Sequence, residues 1–122
     1  MSLRLPAALL VAFGVAAPAH AELYYLIVGG LGGEATYTEQ FAKDTDALAT
    51  VARRTTSQNR VIVLKGEGAT REALTNALDS LRTRAKAADQ VVVMLVGHGS
   101  YDGELYKLNS SPSMSGPGKF NL

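Results

Sequence analysis

The residue best placed to do chemistry in this sequence is His98. It stands between Gly97 and Gly99, directly after the apolar run Val91–Val96, in the stretch QVVVMLVGHGSYDG (Gln90–Gly103). An imidazole changes charge near neutral pH, so it can give or take a proton in a reaction. An apolar run without polar alternation reads as a strand buried on both faces, as in a parallel sheet covered by helices. In open α/β sheets the reacting groups sit just beyond the carboxyl ends of such strands. Two flanking glycines let the backbone turn there and come close to a bound group. The same pattern also fits a tight turn after a core strand, with a histidine that is merely exposed.

Three other chemistries compete for these residues. His98, Asp102 and Glu104 are a possible one-histidine, two-carboxylate metal set, but they crowd one loop, and the charges read as solvated; no metal is expected. Gly30-Leu31-Gly32-Gly33-Glu34-Ala35 fits the G-x-G-x-x-A dinucleotide fingerprint between a strand and a helix. That fingerprint requires an acidic residue at the end of the second strand. Here the strand ends at Lys65, with Glu67 too late, so no cofactor is expected and the glycines read as a flexible turn. A serine hydrolase needs a G-x-S-x-G elbow, and none occurs.

The elements that must position His98 follow from periodicity. Glu22–Val28, ELYYLIV, reads as a first strand and Arg60–Leu64, RVIVL, as a second. Between them Thr36–Arg54 has helical spacing, with Phe41, Leu48, Val51 and Ala52 on one face. Thr36 or Thr38 is the expected cap. Thr70 is a good N-cap for a second helix, Arg71–Ala88, with Leu74, Ala77, Leu78 and Leu81 as its apolar stripe. The order β-α-β-α-β implies a parallel sheet in a three-layer α/β sandwich. After Gly103 the pattern decays, and residues 110–122, rich in Ser, Pro and Gly, read as an irregular or disordered tail.

Residues 1–21 are read separately. A basic start at Met1–Arg4, an apolar stretch Leu5–Ala17 and the small-x-small site Ala19-His20-Ala21 have the form of a secretory signal peptide cleaved before Glu22. The apolar stretch is short for a membrane span, which takes about 20 residues, so no stable membrane association is expected after processing. The processed chain would be periplasmic or extracellular. Arg4 is the excess of 12 basic over 11 acidic side chains, so the mature chain has no net charge. A basic patch of the kind that binds nucleic acid is missing, and no nucleic-acid partner is expected. There is no cysteine among the 122 residues. An exported domain of this size without disulfides depends on a small core.

Taken in succession, YYLIVGG, a helix, RVIVLKG, a helix from TREAL, and DQVVVMLVGHGSYDGE resemble the first half of a caspase-like fold, that of the legumain-type cysteine peptidases and their exported bacterial relatives. The likeness covers about Leu23–Asn109, and residues 22–109 are read as a partial caspase-like α/β domain. It implies a Cys–His dyad acting on a peptide or protein substrate. His98 matches the histidine that acts as general acid and base, and Gly99 the residue whose backbone N–H helps hold the oxyanion. The departure is the nucleophile: the family's cysteine follows on the next strand, and this chain has none. Ser110, Ser111, Ser113 and Ser115 are not substitutes, because nothing places them at a strand end. The preferred reading is a truncated form of a longer peptidase-like protein. The alternatives are a non-catalytic exported α/β domain that binds a peptide or protein, or a nucleotide-binding domain. The resemblance also implies a central first strand, flanked by the second and third. The outer edge of Val91–Val96 would then be uncovered and prone to self-association.

Overall fold

The computed structural model describes residues 20–111 and the backbone of 119–121. The expected signal peptide lies outside the described residues except for His20 and Ala21, which are exposed. Among the described residues no helix is long and apolar enough to cross a membrane.

The chain runs β1 (Leu23–Gly29), α1 (Ala35–Ala52), β2 (Val61–Lys65), α2 (Arg71–Arg84) and β3 (Gln90–Val96). The three strands form a parallel sheet in the order β2-β1-β3. Alternation along the central strand divides the core in two. Tyr24, Leu26 and Val28 face Leu74, Ala77 and Leu81 of α2. Ile27, with Tyr25 partly buried, packs against Leu48, Ala49 and Ala52 of α1. The result is helix, sheet, helix. Leu26 and Ile27 are fully buried, each contributing about 1.5–3 kcal/mol of hydrophobic stabilisation.

The helices differ from expectation in their boundaries and faces. Thr70 does cap α2, its Oγ1 accepting from Ala73 N at 3.0 Å, a contact of about 1 kcal/mol. The helix stops at Arg84 and not at Ala88, because Asp89 binds the following turn by accepting from Lys86 N. In α1 neither threonine is the cap; Glu34 holds that position without a side-chain bond, and Thr38 Oγ1 accepts instead from Gly32 N. The buried face of α1 runs through Thr45, Ala49 and Ala52, while Val51 is exposed. Thr45 fits because its hydroxyl donates to Phe41 O at 2.6 Å within the helix.

The expectation of a doubly buried β3 fails: Val92, Met94 and Val96 are only partly buried on one face, and the other face is exposed. Val91, Val93 and Leu95 are 43%, 47% and 39% exposed. Their register beside Tyr24, Leu26 and Val28 puts them on the α2 face. However, α2 packs over β1 and over Ile62 and Leu64 of β2, so one short helix spans two strands and leaves the third bare. The same three residues hold the free edge. Gln90 N donates to Glu22 O and Val96 O accepts from Gly30 N, so the even-numbered residues face β1. By alternation, the N–H and C=O groups of Val91, Val93 and Leu95 point outward.

Beyond β3 the chain is more ordered than its composition suggests. β4 (Gly99–Tyr101), β5 (Tyr106–Asn109) and β6 (Lys119–Asn121) form an antiparallel sheet in the order β4-β5-β6. This corrects the irregular tail expected for 110–122 at two points: β6 lies within it, and Ser110 and Ser111 are buried. Backbone pairing with β5 supplies what the Ser/Pro/Gly composition conceals. The turn between β4 and β5 is closed by Asp102, whose carboxylate accepts from Glu104 N, Leu105 N and the Lys107 ammonium. These bonds, Lys107 first, hold the Asp102 carboxyl well below the usual carboxylate range. Gly103 supplies the positive φ, +102°.

Candidate active site

The site is built at the carboxyl end of the parallel sheet. β3 ends at Val96, Gly97 makes the turn, and His98 follows before β4 begins at Gly99. The His98 carbonyl accepts from Asn109 N at 2.9 Å, which pins the backbone of the histidine to the end of β5. Its side chain is not left loose. The ring meets Tyr37 and Phe41 edge to face, with centroids 4.9 and 5.0 Å away at 74° and 78°. Tyr37 and Phe41 are one helical turn apart at the start of α1 and stack on each other. α1 begins just after β1, and β1 neighbours β3, so the topology brings the start of α1 to the end of β3. Residue His98 is exposed to solvent all the same.

Gly99 has a definite orientation. In an antiparallel ladder, hydrogen-bonded and non-hydrogen-bonded pairs alternate. Asn109 N bonds to His98 O, so the next pair, Gly99 with Leu108, is of the other kind. The Gly99 N–H therefore points away from β5, and β4 is the edge strand of its sheet. The imidazole residue is thus followed in the chain by a backbone donor turned away from β5 on an edge strand.

A strap closes the floor of the site. From Asn109 to Ser111 the chain crosses the ends of the parallel strands, and Ser111 N donates to Ala69 O at 2.9 Å. Gly30, which donates to Val96 O at 2.8 Å, lies so close beneath it that a Cβ there would sit 2.2 Å from the Asn109 carbonyl oxygen. Asn109 Oδ1 and Ser110 Oγ are buried with no hydrogen-bond partner among the described residues. Ser110 and Ser111 are 6% and 5% exposed, hydroxyls packed inward; Ser113 and Ser115 lie outside the described residues.

Among the described residues no three His, Cys, Asp or Glu side chains come together: His98 packs on α1, while Asp102 is occupied with its own turn and Lys107. The glycine loop turns from β1 into α1, and β2 ends in Lys65, paired with Asp46, where a ribose-binding carboxylate would be needed. The described residues enclose no pocket. What sequence reasoning missed was the support of His98. Two aromatics at i and i+4 opening the helix after β1 were the available signal for Tyr37 and Phe41; Asn109 gave none. Comparison of the chain with family models, with curated proteins and with solved structures finds no match.

Proposed function

We propose that this chain carries the proton-transfer half of a thiol-dependent peptidase site of the legumain or caspase-like kind, with the nucleophile on polypeptide beyond the 122 residues. The supporting observation is the pairing of His98, beyond the end of β3 in a β2-β1-β3 sheet, with a Gly99 N–H turned away from β5. In this reading a thiolate attacks the peptide carbonyl, the Gly99 amide helps stabilise the oxyanion, and the His98 imidazole moves the proton to the leaving amine. The partner is a peptide or protein substrate, and the setting is periplasmic or extracellular. Sequencing the transcript past codon 122 tests the reading. It expects a continuing frame that encodes an apolar strand followed by cysteine. The 122-residue chain alone is expected not to turn over Asn- or Asp-containing peptides. Turnover by the purified chain, abolished in His98→Ala, would show that the nucleophile is already present and overturn it.

The bare edge of β3 supports a second proposal about partners. Three exposed apolar side chains and their outward N–H and C=O groups share one uncharged strand, a template for strand pairing. A strand that follows in the longer protein would cover it; without one, the mature chain is expected to self-associate through Val91–Val96. Light scattering should show a mass above that of the monomer, falling towards it in Val93→Lys. A monomer with Val91, Val93 and Leu95 amides strongly protected from exchange contradicts this.

A further inference from the structure

At the opposite end of the sheet from His98, Glu22 is held on three sides. Its backbone N donates to Asp89 Oδ1 at 2.8 Å, its carbonyl accepts from Gln90 N at 2.9 Å, and its carboxylate meets the Arg60 guanidinium at 3.1 Å. Asp89 is already oriented for this, because its Oδ2 accepts from Lys86 N at 2.7 Å. Ala21, one residue before, is exposed. Asp89 Oδ1 is thus aimed at the nitrogen that the expected cleavage would free.

We propose that Asp89 is the receptor for the α-ammonium of Glu22 that is created when the leader is removed, so that maturation itself fastens β1 to the start of β3. The step is hydrolysis of the Ala21–Glu22 amide by an export-associated peptidase. Water adds across the C–N bond; Ala21 keeps the new carboxylate, and Glu22 keeps the nitrogen, which is protonated. The neutral N–H whose bond Asp89 accepts in the precursor becomes a charged donor, so a bond already assisted by the ionised carboxylate becomes an ion pair between opposite charges. The groups around the new charge are Asp89 and the Glu22 carboxylate, which favour it, and Arg60 and Lys86, which oppose it. Arg60 is engaged by the Glu22 carboxylate. The Asp89 carboxyl lies below its ordinary range, held there first by the Lys86 N–H and then by the Glu22 N–H, and so is ionised at neutral pH.

The sign of the pH dependence follows. A raised ammonium pKa in the folded state gives stability that is present below the ordinary α-amino value, about 7.7–8.0, and lost as pH rises through the folded value. Intact mass of the exported protein should place Glu22 first. At pH 6.5 the mature chain should melt about 2–5 °C above the precursor. That difference should vanish by about pH 10. It should also vanish in Asp89→Asn and in a mature chain acetylated at Glu22, which loses the charge with Asp89 untouched. The α-amino group, titrated by nitrogen NMR, should have a raised pKa that returns to the ordinary value in Asp89→Asn. A mature start elsewhere, equal melting at pH 6.5, a difference that survives acetylation, or an α-amino pKa indifferent to Asp89→Asn would each overturn the proposal.

Discussion

Replacing Gly30 by alanine is expected to destabilise the domain by about 2–3 kcal/mol, the cost of forcing volume into a packed position. Conformational strain is not the cause, because the clash is spatial. The new methyl would lie 2.2 Å from the Asn109 carbonyl oxygen, a backbone atom that cannot swing aside alone. Asn109 is tied to His98 O, and Ser111 to Ala69 O, so the strap has to move as a unit. With it moves the anchor on the His98 backbone. Gly33→Ala is the control. There φ is +82° but nothing lies within 4 Å, so the expected cost is only about 1 kcal/mol, from the left-handed backbone. Chemical denaturation of both variants, with hydrogen exchange at Asn109 and Ser111, checks this. Gly30→Ala within about 0.5 kcal/mol of the parent, well inside the cost of overpacking, and with unchanged protection, would contradict the described strap.

That contrast also marks what can be read from residues alone. β1, β2 and the start of α2 were legible because local pattern and tertiary structure agree there: the aromatic and β-branched run of LYYLIV, the apolar VIVL, and Thr70 before the stripe of Leu74, Ala77 and Leu81. The α/β class and the placement of His98 beyond β3 follow from that order. The half-bare β3 was not legible, since an apolar run looks the same whether or not a helix reaches it; only the reach of α2 decides that Val93 is exposed. Val51 was misplaced because Thr45, a polar residue that satisfies its own hydroxyl, holds the centre of the α1 face. The β4–β5 hairpin did have a signal in Asp102-Gly103, outweighed by the Ser/Pro-rich residues after it. The site divides in the same way. Gly97, His98 and Gly99 are contiguous and visible, whereas Tyr37, Phe41 and Asn109 reach His98 only through the fold.

The larger effect is chemical. If His98 transfers the proton in a Cys–His pair, its removal costs nearly the whole catalytic advantage of that pair, because members of such a unit act together; a loss on the order of 10⁴ in kcat/KM or more is expected. Stability should change little by comparison, since His98 is exposed and, among the described residues, its aromatic contacts are with Tyr37 and Phe41. Phe41→Leu, which leaves the imidazole in place but removes one of the rings that orient it, should lower kcat more than it raises KM.

The most direct test is peptide hydrolysis by the polypeptide encoded by the uninterrupted reading frame, compared with its His98→Ala variant. The expected result is a frame that supplies a cysteine, cleavage of Asn- or Asp-containing peptides that a thiol-directed probe blocks, and loss of that activity in His98→Ala at a nearly unchanged melting temperature. A frame that ends without a cysteine, or activity that survives His98→Ala within tenfold, a residual far above the loss expected for such a unit, would contradict it.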